Sequence, residues 1–300
     1  MYTYQLYGLK VKTDLEFQQL VVCEACEMAD VTIAAGSIPE EIIRKEEDSR
    51  YEFGESVSWL SNKTCRLLVE NGEKITYALK EGGNPGYLGN YILGWGMSML
   101  ALQRGILAVH CSAVADERGA VLICGESGAG KSTLTTAFLE QGYRLMADDM
   151  AFVETVPGGR AFASPAFPYQ KLCRDAALSK GYRLEELIYI DEDKDKFLVP
   201  YRGEFCLEAV PVRGMLMLGV IEGDEVVSKE VTGLNRFHMA ANNLFLRHLL
   251  REQKYEPRTG QLCLNMAAAV PMEFVGRPAG GNTVRKVIDT AFAAAEKWGE

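Results

Sequence analysis

Basic residues are in deficit: 32 Lys and Arg stand against 41 Asp and Glu, a formal charge of −9 over 300 residues. A nucleic-acid-binding face needs clustered Lys and Arg to neutralise phosphates, so no nucleic-acid partner is expected. Long apolar runs are missing as well. The most apolar stretch, Tyr91 to Val109, is broken by Gln103, Arg104 and several glycines, which excludes a bilayer span and predicts a buried helix followed by a strand. The opening "MYTYQLYGLKVKTDLEF" lacks the basic start and apolar core of a secretion signal, so a cytoplasmic protein with no membrane partner is expected. Cys23 and Cys26 form one C-x-x-C, but no second pair at zinc spacing follows, and the eight cysteines are read as reduced structural thiols. "IDEDKDKF", Ile190 to Phe197, has acids at alternate positions without the turn glycine and closing glutamate of a calcium loop, and is expected to be a solvated loop. Internal repeats and low-complexity tracts are absent too.

What is present is the composition of a globular protein, 48% hydrophobic and 24% charged. Residues 1–88 alternate apolar and polar positions in short runs such as "DVTIAAG", "CRLLVENG" and "KITYALKE", predicting a small β-rich N-terminal domain. "EGGNPGYLGN", dense in Gly, Asn and Pro, marks the boundary, and 89–300 is expected to form a second domain. There "YILGWGMSMLALQRG" has helical spacing and "ILAVHCSAV" reads as a strand. "AVLIC", "GESGAGK", "STLTTAFLEQ" and "YRLMADD" follow as strand, loop, helix and strand. The remainder predicts a helix around "LCRDAALSK", a β segment "VPVRGMLMLGVIEGDEVVSKEV", and two closing helices, "NRFHMAANNLFLRHLLREQ" and "GNTVRKVIDTAFAAAEKW".

"GESGAGKS" fits G-x-x-x-x-G-K-[ST], with Gly125, Gly130, Lys131 and Ser132 at the fixed places. Glycines at 125, 128 and 130 let the backbone curl with its N–H groups inward. The residues of this nest, Gly125, Glu126, Ser127, Gly128, Ala129, Gly130, Lys131, Ser132 and Thr133, are expected to cradle nucleotide phosphates. Lys131 supplies charge between the β- and γ-phosphates and the Ser132 hydroxyl suits Mg²⁺. Placed after a strand and at the opening of a helix, the motif has the context it requires.

Seventeen residues beyond Lys131, Asp148 and Asp149 end the predicted strand "YRLMA". A carboxylate at that point holds Mg²⁺ in phosphate-loop proteins, and two successive acids point differently, so one can face the metal and the other an incoming hydroxyl. His110, fifteen residues before Gly125, lies in "ILAVHCSAV"; if that strand pairs beside "AVLIC", its ring comes near the phosphates. Arg202, Arg277 and Arg285 sit near glycines as candidate phosphate or substrate contacts, and the sequence does not separate them from surface arginines.

Taken together, His110, the loop at 125–132 and "GYRLMADD" (Gly142 to Asp149) resemble the catalytic domain of HPr kinase/phosphorylase, with its histidine, loop and "G-[HY]-x-L-x-A-D-D" in that order. "HCSA" before the loop and "DD" after it also resemble ATP-dependent phosphoenolpyruvate carboxykinase. The resemblance implies an α/β fold of mixed α+β character, a P-loop kinase domain of this type with a small β-rich N-terminal domain. It implies ATP and Mg²⁺ as cofactors, Asp148 as general base, Asp149 and Ser132 as metal partners, and His110 as support for one of the acids. Thr133 stands where HPr kinase typically has an acid, and the "E-[IV]-R-G-x-G" segment of the phosphorylase activity is not found, so that activity is not implied. The expected function is transfer of the γ-phosphoryl group to a hydroxyl, of a protein or peptide serine first and of a small molecule second. A nucleotide-binding regulator or assembly factor without kinase activity is the alternative, and a homo-oligomer is compatible with any of these.

Overall fold

The computed structural model describes residues 1–24, 28–156, 159–191, 195–252 and 257–298. Cys26 of the C-x-x-C and the centre of "IDEDKDKF" lie outside the described residues. The chain is a mixed α/β protein and divides into two compact units, one of residues 1–106, 167–202 and 248–254, the other of 107–166, 203–247 and 255–300.

In the first unit, β1 (Tyr2–Leu6) and β2 (Leu9–Thr13) form a hairpin whose turn uses positive φ at Tyr7 and Gly8. With β3 (Val21–Val22), β4 (Val31–Ala35), a helix α1 (Glu40–Lys45), β5 (Tyr51–Glu52), β6 (Val57–Ser61), β7 (Cys65–Glu70) and β8 (Lys74–Leu79), they build a sheet of order β3-β1-β2-β4-β8-β7-β6-β5. The expected boundary at 88/89 does not coincide with the division at 106/107. The helical run α2 (Leu88–Tyr91), a π-helical turn over Ile92–Gly96 and α3 (Met97–Gln103) is anchored on this sheet. The buried Gln103 side chain accepts from Gly72 N–H at 2.7 Å and donates to Ser58 Oγ and the Val69 carbonyl at 3.1 Å each. A Cβ at Gly96 would meet Ile75 at 3.3 Å, so the helix rides close on the sheet.

The second unit begins with β9 (Leu107–Val109), β10 (Ser112–Asp116), β11 (Gly119–Gly125), α4 (Lys131–Glu140), β12 (Arg144–Ala147), β13 (Ala151–Val156) and β14 (Arg160–Ser164). Next in the chain, β15 (Tyr169–Cys173), α5 (Arg174–Ser179), β16 (Ile188–Asp191) and β17 (Lys196–Pro200) fold as a three-stranded sheet belonging to the first unit. The second unit then resumes with β18 (Val210–Ile221), β19 (Val227–Val231) and α6 (Leu234–Asn242). After α7 (Arg247–Glu252) come α8 (Pro257–Ala269), β20 (Met272–Pro278) and α9 (Val284–Lys297). The stretch expected as one helix, "NRFHMAANNLFLRHLLREQ", is two, because residues 243–246 leave the helix, with Phe245 N–H bonding to Ala108 C=O of β9. Helix α8 was not expected.

The sheet of the second unit has the order β12-β10-β11-β18-β14-β13-β9, with β20 also on β18 and β19 on β20. Strands β11, β18 and β20 are mutually parallel, and β10 runs antiparallel to both β11 and β12. Strands β11, β12, β18 and β20 therefore all point to one edge. Helices α4 and α9 share a core with Val114, Val121, Ile123, Leu216 and Leu218 of the sheet, centred on the fully buried Phe138, whose ring lies 4.9 Å from Tyr143 and 4.3 Å from Phe292. Burying a ring of that size contributes about 2–3 kcal/mol.

Candidate active site

The loop after β11 takes its shape from glycines in conformations that side chains resist: φ is 146° at Gly125, 82° at Gly128 and 109° at Gly130. A Cβ at Gly125 would also approach the Leu218 carbonyl to 2.7 Å. Gly130 occupies the N-cap of α4 and provides no side-chain cap, so the first-turn N–H groups of the helix face the loop as donors for an anion. Glu126, Ser127 and Gly128 are exposed, Ala129 is buried, and Ser132 and Thr133 stand exposed on the first turn. The Lys131 ammonium donates to the carbonyls of Gly125 (2.6 Å) and Glu126 (3.2 Å), which holds its charge over the mouth of the loop.

The second cluster arises where two strands change partners together. "ILAVHCSAV" is not the single strand expected: it breaks at His110–Cys111 into β9, which pairs with β13, and β10, which pairs with β12. The opposing chain breaks at 148–150 between β12 and β13. Asp149 makes that bend at φ 90°, a conformation that Asp tolerates better than most side chains. The two breaks face each other. His110 Nδ1 lies 2.8 Å from the Asp149 carbonyl, which assigns the proton to Nδ1 as donor, and 3.6 Å from Asp149 Oδ1. The His110 backbone N–H donates to Asn243 C=O at 2.6 Å, and Phe245 sets an edge-on ring 6.0 Å away. Ser112 Oγ donates to Asp148 Oδ1 at 2.8 Å.

Register relates the two clusters. Ala147 of β12 faces Ala113 of β10, which faces Leu122 of β11. Asp148 and Asp149 thus leave the same sheet edge as the Gly125 loop, two strand spacings away, about 10 Å. The expected pairing of the "AVLIC" strand holds for the part that became β10, and His110 falls in the break beside it. Sequence reasoning missed Ser112, although "HCSA" was in view, because a serine in a strand carries no signal of its partner. It left Arg277 unresolved among three arginines. Arg277, at the end of β20, donates from Nη2 to Gly128 C=O at 2.9 Å and from Nε to Ala129 C=O at 3.4 Å, whereas Arg202 and Arg285 are exposed.

As for a metal, the donors fit Mg²⁺ in type: the Ser132 hydroxyl and the Asp148 and Asp149 carboxylates are hard oxygens. Among the described residues no group of three or more His, Cys, Asp or Glu forms a protein-only metal cage. Mg²⁺ in nucleotide sites needs no such cage, since phosphate oxygens and waters complete it. Behind the loop, burial pushes the Cys124 thiol well above its ordinary range, with Cys111 beside it adding to the effect, so Cys124 is a packing residue and no nucleophile.

No family model matches the chain, and no curated protein matches it. Among solved structures, the Hpr(Ser) kinase/phosphatase from Coxiella burnetii aligns with 63% of this chain and 97% of its own, at 12% identity and a TM-score of 0.30. A score at that level transfers no residue roles, which rest here on this chain's own geometry. Among the described residues, no helix is long and apolar enough to cross a membrane.

Proposed function

We propose that this protein is an ATP- and Mg²⁺-dependent phosphotransferase that moves the γ-phosphoryl group to a hydroxyl, a serine of a protein or peptide. The observation that supports the reading is the shared sheet edge: a phosphate loop of the required backbone shape, and two successive carboxylates that different neighbours orient separately. Binding of a magnesium nucleotide calls for the loop and one acid, not for a second. The acceptor class follows from the family resemblance of the histidine, loop and acid pair.

In this reading, the backbone N–H groups of 125–132 and the start of α4 hold the phosphates, and Lys131 turns from its loop carbonyls to the β- and γ-phosphates. Ser132 and Asp149 would hold Mg²⁺, which when bound neutralises the charge of the β- and γ-phosphate oxygens. His110 fixes the Asp149 backbone in its left-handed bend and so aims that carboxylate. Asp148, with Oδ1 engaged by Ser112, orients the acceptor hydroxyl and takes its proton as the oxygen attacks phosphorus. The bond to the nucleotide's leaving oxygen breaks in the same displacement. Catalysis rests on positioning and charge.

The test is incubation of the protein with γ-labelled ATP, Mg²⁺ and a lysate of its own host, beside Lys131→Ala. A labelled protein band that disappears with the variant is the expected result. A labelled small molecule in its place moves the acceptor class, and nucleotide binding with no acceptor other than water replaces the kinase by a nucleotide-operated switch.

A further inference from the structure

Arg277 lies at the same sheet edge as the loop, because β20 runs parallel to β18 and β18 parallel to β11. Its guanidinium grips the loop from outside: Nη2 donates to Gly128 C=O, Nε to Ala129 C=O, and Nη1 to its own neighbour, Pro278 C=O, at 3.0 Å. Gly128 has a left-handed φ of 82° with open space where a Cβ would stand, so no side chain of its own fixes that turn. The carbonyls of an anion nest point away from the anion while its N–H groups point inward. A donor fork on those outward carbonyls therefore fixes the inward ones. Arg277 is also a partly buried cation that, among the described residues, touches carbonyl oxygens and forms no ion pair with a carboxylate. Carbonyl dipoles orient its charge without cancelling it. It adds a cation to the loop that Lys131 also contacts, in a protein of net charge −9.

We propose that Arg277 is a positioning residue of the nucleotide site, which braces the phosphate loop and adds positive charge that strengthens its hold on phosphates. The inference rests on the phosphate-loop reading of 125–132 and deepens it. Both parts of the role are needed: Lys at 277 would keep the charge and lose the planar fork, and Gln would keep a donor and lose the charge.

The test is equilibrium titration of wild type, Arg277→Ala, Arg277→Lys and Arg277→Gln with a fluorescent ATP analogue in Mg²⁺, and with inorganic tripolyphosphate as competitor. Thermal unfolding of each protein runs in parallel. Arg277→Ala and Arg277→Gln are expected to bind both probes about tenfold more weakly and Arg277→Lys about threefold more weakly, as loss of one charge-assisted contact implies. The deficit should shrink at high salt. If the alanine variant does not fold, Lys against Gln carries the test. Wild-type affinity in Arg277→Ala overturns the inference alone, and equal rescue by Gln and Lys overturns its charge component. Failure of wild type to bind either probe overturns the loop reading and this inference together.

Discussion

The two edges of the second unit's sheet handle charge in opposite ways. At the edge of the β10–β11 turn, Asp116 takes Arg118 at 2.9 Å and Arg213 at 3.0 Å, and Arg118 reaches Glu296 of α9 at 2.7 Å. Arg213 also donates to the Ala295 carbonyl at 2.7 Å. Charges there neutralise one another and tie α9 to the sheet. At the other edge, the cations Lys131 and Arg277 rest on backbone carbonyls, and Asp148 takes a serine hydroxyl. At Arg277, carbonyl dipoles orient a cation that, among the described residues, meets no carboxylate. The first arrangement suits stability, and the second gathers both signs of charge beside the phosphate loop.

Exchanging parts between the two edges tests that contrast. Arg213→Met should have the largest effect on stability, about 3 kcal/mol, because it removes a buried cation that ties Asp116 to α9 and leaves the Ala295 carbonyl without that donor, while Asp116 keeps Arg118. Denaturant unfolding measures it, and nucleotide affinity of the folded protein should not move. Ser112→Ala should do the reverse, slowing phosphoryl transfer about tenfold for loss of one hydrogen bond to a charged group, with unfolding nearly unchanged and Ser112→Thr restoring the rate.

A smaller, pH-dependent difference belongs to the paired edge. Burial alone would raise the Asp116 carboxyl, but hydrogen bonds from Arg118 and the charges of Arg213 and Arg118 outweigh it and hold the group below its usual range. Hydrogen bonding to Arg118 depresses Glu296 as well. Groups depressed in the folded state stabilise it above their unfolded pKa and lose that contribution as pH falls through the folded value. The stability gap between wild type and Asp116→Asn should therefore stay level from neutral pH down to about pH 5 and close below about pH 4. At the other edge, Cys124 should resist alkylation in the native protein, whereas the exposed Cys173 reacts.

Legibility followed locality. The loop could be read because its instructions are contiguous: three glycines at positive φ, a lysine opening α4, and Gly142, also at positive φ, just past its end. The paired acids ending β12 and most strands of the first sheet could be read from alternation and turn residues. The break of "ILAVHCSAV" could not, because its apolar alternation runs on through His110. The kink depends on Asp149, 39 residues away, and on Asn243. The role of Arg277 depends on a glycine 149 residues distant. The division at 106/107 was hidden because the Gly/Pro-rich loop before 88 resembles a linker, while the bonds of Gln103 that bind the helix to the first sheet lie beyond it. Helix α8 follows a charged stretch and carries "GQLCLNM", whose apolar positions are too sparse to announce a helix.

The central claim is that the acid pair performs chemistry beside the loop. Single-turnover transfer of the γ-phosphoryl group to the acceptor found in the lysate, compared between wild type and Asp148→Asn at saturating ATP, tests it most directly. Loss of at least about a hundredfold in rate with ATP affinity within twofold is the predicted result, the scale of a missing general base. An unchanged rate with intact ATP binding would contradict the account.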